Sequence, residues 1–441
     1  MDLLLSFAAF LAAMLLSLTS GISMIVPLLV GLAGFSAVAL RRGFAPGCIA
    51  RMCAKGMWES SVVAVVMLLI GCLTSLWRQS GTIAYFTYHG VRMIPSEIFV
   101  LAAFVLSAVM AYALGTSFGV AATMGVILLT IARSSGVSTA LVGGAVMSGL
   151  YIGDRGSPAA SSASLVANET HTLVTDNIRR MLPSSLLPMA LCAALYLALS
   201  MFSRPEQVDS QLLEAFSGEF KLSAWCLVPT LLLLALAFGG MKIKAVMLIN
   251  IAFSLVLTVA LQGRDLFGVL KMMILGYAPQ DGRLAGVLSG GGLVSMLEVV
   301  ALLFLSSGCA GIFEGTGMLR GVERALEKLS GRIGRFPAMV LTSLGVSAVF
   351  CNQTIGIIMC RQCMEGNYAG TPQGRAELML DIENSVVVLA GLVPWCIASS
   401  VPLRTMGCGW TALPFAAYLY LLPLCWYFRG KSTQIRGRRA A

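Results

Sequence analysis

Apolar residues fall in long runs separated by short polar breaks. The runs lie at 3–20, 22–40, 60–77, 96–114, 117–132, 137–152, 184–203, 222–239, 243–261, 284–308, 337–359, 384–405 and 411–428. Most approach the roughly 20 residues that a helix needs to cross a hydrocarbon core. The pattern predicts an all-α polytopic membrane protein with about 11–13 membrane segments. The first run has no basic region before it and no small-residue cleavage site. It is read as a first membrane helix and not a cleaved signal.

Composition agrees with the pattern. Of the 441 residues, 58% are hydrophobic and 11% are charged, against about 25% charged in soluble domains. The net charge of +10 would suit nucleic acid only if the basic residues formed one patch. They sit instead in clusters between apolar runs: Arg41, Arg42, Arg51 and Lys55; Arg320, Arg324, Lys328, Arg332 and Arg335; Lys431, Arg436, Arg438 and Arg439. That is the distribution of the positive-inside rule, so no nucleic-acid partner is expected. The 12 cysteines lie mostly in or beside apolar runs and read as small hydrophobes. Cys360 and Cys363 form a lone CxxC with no second pair, a weak metal signal.

The basic clusters orient the chain. The 41–58 loop and the tail are expected on the cytoplasmic side, as are Lys242 and Lys244. The loop at 204–221, with Glu206, Asp209, Glu214 and Glu219 against Arg204 and Lys221, is expected outside. The 319–335 stretch reads as an amphipathic interfacial helix. Counting crossings then requires the 384–405 run to enter and leave on one face, with Pro394 and Trp395 at its break. The same count makes 154–176 a second re-entrant segment from the cytoplasmic side. Two such segments from opposite faces predict two inverted-topology repeats. The expected organisation is 1–58, an N-terminal hairpin and basic loop; 59–203, a first repeat; 204–283, connecting helices; 284–428, a second repeat; and 429–441, a basic tail.

Polar residues at membrane depth need shielding and are functional candidates. Thr116 and Ser117 lie between Gly115 and Gly119, where hydroxyls serve helix packing or an ion. Asp154 follows a long apolar run, and Gly153, Gly156 and Pro158 interrupt a helix there. Freed carbonyls with Ser157, Ser161 and Ser162 are hard oxygen ligands for a small cation; the plainer alternative is a loop with Asp154 paired to Arg155. Glu298 has nothing basic within a helical turn, so it is either a proton-titrating site or near an interface. Asn352 and Gln353 offer amide carbonyls. Asp381, Glu383, Asn384 and Ser385 stand at the mouth of the second re-entrant segment.

These residues carry a resemblance. "IGCLTSLWRQSGTIAYFTYHG" (70–90), "GTSFGVAATMG" (115–125), "SGLYIGDRGSPAASSA" (148–163) and "ENSVVVLAGLVPW" (383–395) are similar, in order and separation, to blocks of the NhaC-type Na+/H+ antiporters of bacteria. The resemblance implies a cation-coupled antiporter with two inverted repeats, each holding a re-entrant hairpin. By position it carries over Asp154, Ser157 and Pro158 in the first hairpin and Thr116 and Ser117 before it. In the second half it carries over Asn352, Gln353, Glu383, Pro394 and Trp395. Departures are specific. The family's second acid in the first hairpin falls on Ser161, the aspartate after the glutamate falls on Asn384, and a lysine falls on Arg155. Two carboxylates become neutral oxygens, which weakens a hard-cation site; Glu298 is a candidate substitute acid.

The expected function is exchange of Na+ or another monovalent cation for H+ across a bacterial cytoplasmic membrane. Asp154 and Glu383 would carry the coupled charge, with Thr116, Ser117, Ser157 and Asn352 in the oxygen shell. Expected partners are the transported cation, H+ and the lipid bilayer, with a homodimer as the candidate assembly and no cofactor. The alternatives are exchange of small organic anions of the malate/lactate type, or a non-transporting derivative. An embedded enzyme is disfavoured, because His89 and His171 are the only histidines and no metal-ligand spacing is present.

Overall fold

The computed structural model describes residues 2–93, 95–202, 210–318 and 320–440. Among these the chain is helical, and the one β element is an isolated bridge between Tyr277 and Gly290. The first half contains α1 (Asp2–Ser20), α2 (Ile25–Arg41), α3 (Pro46–Glu59), α4 (Ser61–Gln79), α5 (Thr82–Met93), α6 (Phe99–Leu114), α7 (Ser117–Ser134), α8 (Thr139–Gly156), α9 (Ser161–Thr170) and α10 (Val174–Phe202). Then come α11 (Ser210–Glu219), α12 (Val228–Phe238), α13 (Ile243–Gln262) and α14 (Leu266–Leu275). The second half contains α15 (Leu297–Thr316), α16 (Arg320–Ile333), α17 (Arg335–Phe350), α18 (Gln353–Met364), α19 (Pro372–Leu392, kinked at Ser385), α20 (Ile397–Met406) and α21 (Ala417–Ala440).

The architecture is the expected all-α polytopic one, with two local corrections. The apolar run at 337–359 is not one helix, because the chain breaks at Cys351. The 41–58 loop is mostly helix, since Pro46 at the first turn starts α3. Five described helices are long and apolar enough to span, or seven if two bent pairs each count as one. Other described apolar helices, among them α6 and α17, are only 10–17 residues long. Arg204, Glu206 and Asp209 of the expected outer loop lie outside the described residues.

The breaks repeat at a fixed spacing. Phe99 and Arg335 begin α6 and α17, 236 positions apart (335 less 99), and Leu114 and Phe350 end them at the same spacing (350 less 114). Ser161 and Ile397 begin α9 and α20, again 236 apart (397 less 161), and both helices are ten residues long. Left-handed backbone follows the same rule: Gly81 and Gly317, Gly115 and Cys351, His171 and Gly407. The unit from α4 to α10 therefore recurs from α15 to α21 with little insertion.

Each repeat packs on the other in the same way. The α9 helix of the first repeat lies against α18 of the second, and α20 of the second lies against the start of α7 in the first. Val166 sits in a cluster with Ile357 and Cys360, and Ala122 in one with Ile397 and Val401. Reciprocal contact of this kind is the mark of an approximate two-fold axis. The tightest crossing is α6 on α8. A Cβ on Gly149 would lie 2.7 Å from the Phe104 carbonyl oxygen, and one on Gly153 would lie 2.0 Å from the Ala111 carbonyl carbon. Glycines four apart let the two backbones touch, and that contact fixes the end of α8.

Candidate functional site

The site forms where the broken helices meet the hairpin breaks. Gly115 adopts φ +62°, Thr116 is extended, and α7 begins at Ser117 with the Thr116 hydroxyl accepting from the Gly119 amide at 3.3 Å. The second repeat copies this turn. Cys351 adopts φ +53°, Asn352 is extended, and the Asn352 side-chain oxygen accepts from the Thr354 amide at 2.9 Å. A non-glycine residue there is costly. The conformation is held because the Cys351 carbonyl accepts from the Ile397 amide at 2.8 Å and the Trp395 indole donates to the Ala348 carbonyl at 2.8 Å. In the first repeat Ala159 backbone fills the equivalent space, 2.5 Å from where a Gly115 Cβ would stand; the left-handed turn and this approach together explain the glycine.

The two hairpin breaks are four residues each, Ser157 to Ala160 and Val393 to Cys396, with Pro158 and Pro394 at matching places. The α8 helix runs through Asp154 and Arg155 to Gly156 before the first break. Ser162 at the start of α9 donates to the Asp154 backbone carbonyl, which ties the two helix ends together.

A cavity of about 540 Å³ opens between these breaks. Its outer end is the exposed turn of Gly240, Met241 and Lys242 between α12 and α13, and its inner end is the buried Asp154. Thr116, Ser117, Asp154, Ser161, Asn352 and Gln353 all line it. Asp154 is the one carboxylate among the described lining residues. The Gln353 amide donates to its Oδ2 at 2.9 Å and to the Val387 carbonyl at 2.7 Å. The N-termini of α7, α9, α18 and α20 also face this space, with Lys242 and Lys244 at the mouth. A helix N-terminus carries unpaired amides and about half a positive charge, so the lone carboxylate sits in a positive setting.

A second cavity of about 380 Å³ is lined by Gln79, Glu219, Gln262, Arg264 and Asp265. The α4 helix connects the two, with Val62, Val63, Val66 and Met67 at the first and Gln79 at the second. Residues 70–80 between them are all buried.

Other sequence candidates fall elsewhere. Ser157 is buried at the end of α8, where its hydroxyl accepts from the Ala159 amide at 3.2 Å and shapes the break. Glu298 does not reach the cavity. Its carboxylate is half-exposed and pairs with Arg404, 106 residues away, at 2.6 Å and with Ser23 at 2.9 Å. Asp154 and Arg155 do not pair. Arg155 leaves α8 on a different face, donating to Ser184 and Asn384 at 2.7 Å each, to Ser185, and through Nε to the Glu383 backbone carbonyl at 3.2 Å. Glu383 and Asn384 lie in this buried cluster and not in the cavity lining. Asp381 is a brace: it accepts from Tyr368 and Trp426 at 2.7 Å each and lies 3.6 Å from Arg335. Cys360 and Cys363 are buried in the apolar cluster around Val166.

Sequence reasoning missed Ser184 and Ser185, which sit on the apolar helix α10 and acquire a role only once Arg155 reaches them. Lys242 and Lys244 were legible as orientation signals but not as cavity residues.

A buried carboxylate thus lines a cavity that opens at paired helix breaks. The Na+/H+ antiporter family model matches residues 149–426, more than half of the chain. The chain belongs to the Na+/H+ antiporter family. It is 25% identical over 392 residues to the malate-2H(+)/Na(+)-lactate antiporter of Bacillus subtilis, covering 87% of this chain and 84% of that protein. It is 24% identical over 365 residues to the Na(+)/H(+) antiporter NhaC of Alkalihalophilus pseudofirmus, covering 81% of this chain and 79% of that one. It is also 25% identical over 390 residues to the arginine/ornithine antiporter ArcD of Halobacterium salinarum, covering 85% and 79%. Membership and the apolar helices make it a multi-pass transporter of the bacterial inner membrane.

Proposed function

We propose that this member of the Na+/H+ antiporter family exchanges Na+, or another monovalent cation, for H+ at Asp154. The observation that carries the reading is the placement of Asp154: a buried carboxylate, alone among described lining residues, at the closed end of the cavity and at the junction of two helix breaks. A carboxylate holds either a proton or a hard cation. Competition between them at one group makes the exchange obligatory. Thr116, Ser117, Ser161, Asn352 and Gln353 supply neutral oxygens around the same space, as hard cations prefer. Alternating access follows from movement of one repeat unit against the other, which closes the cavity at Lys242 and opens the path toward Gln79.

A second reading is supported by the mouth of the cavity. Lys242 and Lys244, four helix N-termini and a single acid favour a small organic anion as co-substrate. The volume of about 540 Å³ also exceeds what a bare cation needs and lies in the range of small-molecule pockets.

One experiment separates the two. Everted vesicles hold an imposed pH gradient reported by a quenched dye, and Na+, Li+, K+, malate and lactate are added in turn. The cation reading expects Na+ or Li+ alone to restore fluorescence; the anion reading expects restoration only with a carboxylate present. No response to any of them refutes both.

A further inference from the structure

Arg78 is the one charged residue of α4, and it is only 5% exposed. Its one hydrogen bond among the described residues runs from Nη1 to the Thr74 carbonyl of its own helix at 3.1 Å. Its Nε is buried with no partner. The C-terminal end of a helix favours a cation, but this one gives a single acceptor to a group with five N–H donors.

Among the described residues nothing neutralises the charge. The charged group within electrostatic reach is Arg133 of α7, a second cation. Arg133 is engaged: its Nη2 donates to the Met406 and Gly407 carbonyls at the end of α20, at 2.7 Å each. The acids of the neighbouring loops are taken, Glu219 by Arg264 and Asp281 by Arg283. A buried charge persists where something pairs with it. An ionisable residue in a spanning helix is a functional position by default.

There is room beside the guanidinium. A Cβ built on Gly290 would meet one atom within 4 Å, Arg78 Nη2 at 4.0 Å. Gly290 is half-buried, and its amide and carbonyl bond to Tyr277 at 2.9 and 3.0 Å, which fixes the turn beside that space. With Nη1 turned to Thr74, the edge formed by Nε and Nη2 is left for a ligand. Two parallel N–H groups on one edge match the two oxygens of a carboxylate.

This place is distinct from the Asp154 cavity. Met67 lines that cavity, and Arg78 stands eleven residues further along α4 (78 less 67), about 16 Å at the helical rise. The next residue, Gln79, lines the second cavity, and its Oε1 is also buried and unpartnered. Arg78 is therefore at the far end of α4 from the Lys242 mouth. A cation passing here meets two guanidiniums and no acid, which is a barrier, whereas an anion meets a partner.

We propose that Arg78 is a specificity-determining residue at the outer end of the transport path, binding the carboxylate of a small organic acid through Nε and Nη2. This rests on the organic-anion reading and gives that anion a second contact, away from Lys242 and Lys244. The cation or proton at Asp154 and the acid at Arg78 are then recognised by separate groups.

The test follows uptake of 14C-malate and 14C-lactate into vesicles loaded with the same acid unlabelled. Right-side-out and everted vesicles present the two faces of the full chain. The wild type is expected to saturate from both. Arg78→Gln is expected to raise the half-saturating concentration about tenfold or more from the outer face and less than about twofold from the inner one, a one-sided change that a merely structural role would not give. Arg78→Lys, which keeps the charge and loses the fork, is expected to recover part of the outer affinity. Wild-type values at both faces in Arg78→Gln, or equal rises at both, overturn the proposal and leave the organic-anion reading standing. Replacing sulfate by chloride in the medium tests for a halide site: inhibition by chloride that Arg78→Gln removes while its acid uptake stays as in the wild type also overturns the proposal. If Arg78→Gln does not reach the membrane, Arg78→Lys decides, because wild-type affinity at the outer face in that variant overturns the two-bond contact. A wild type that takes up neither acid from either face overturns the organic-anion reading itself, and this proposal with it.

Discussion

Asp154→Asn is expected to abolish pH-gradient-driven exchange while leaving the fold intact. Asparagine keeps the shape of the side chain. Its oxygen can still accept from the Gln353 amide, which now stands 2.9 Å from Oδ2, and Ser162 bonds the backbone carbonyl, which does not change. The variant loses the only carboxylate among the described cavity residues. Removing one partner of a buried charged contact costs about 3–5 kcal/mol, which is roughly a hundredfold or more in cation affinity. The measurement is uptake by reconstituted protein whose melting temperature matches the wild type. Exchange within a few-fold of wild type would show that the coupled ion does not use Asp154.

Gly153→Ala is expected to be the most damaging small substitution near the site. Its Cβ would lie 2.0 Å from the Ala111 carbonyl carbon, 2.3 Å from its oxygen and 2.4 Å from the Tyr112 nitrogen. All three are backbone atoms of α6, so no side chain can move aside, and the two helices must separate. Overpacking of a close contact costs about 1–3 kcal/mol, and more when the obstruction is backbone. A fall of several degrees in melting temperature of the detergent-solubilised protein is expected, along with loss of exchange as Asp154 shifts. Gly156→Ala is the control: nothing lies within 4 Å of its Cβ, and it is expected to behave as wild type. Equal melting temperatures for both variants would contradict the close α6–α8 contact.

Much of this organisation is legible in the sequence because bilayers impose it. Apolar length marks helices, and Gly115, Pro158 and Pro394 mark breaks where the backbone cannot continue a helix. The break at Cys351 is not legible in the same way. "VFCNQTIGII" contains no glycine or proline before Gly356, and its left-handed residue is held by Ile397 and Trp395 from a distant segment. The cavity set was legible as polar residues at membrane depth: Thr116, Ser117, Asp154, Ser161, Asn352 and Gln353 do converge. The division between Asp154 and Glu383 was not. It depends on Arg155 leaving α8 on a different face from Asp154, as adjacent helical residues point about 100° apart, given 3.6 residues per turn. Glu298 misled for a related reason: its partner Arg404 is near in space only.

The fixed 236-position spacing between helix ends shows what the sequence held in a form that residue identity hides. Equivalent breaks are built from different residues, Gly-Thr-Ser in one repeat and Cys-Asn-Gln in the other. Backbone geometry is shared while side-chain chemistry diverges, and the first repeat alone sets a carboxylate, Asp154, among the described residues lining the larger cavity.

The central claim is that a proton and a cation compete for Asp154, and the pH dependence of the half-saturating Na+ concentration tests it most directly. Dye dequenching in everted vesicles would be followed against Na+ at a series of pH values. If the two ions share the carboxylate, acidification must raise the half-saturating concentration, approaching about tenfold per pH unit once the proton dominates, while the maximal rate at saturating Na+ is retained. A half-saturating concentration that stays constant as pH falls, with only the maximal rate declining, would contradict the account.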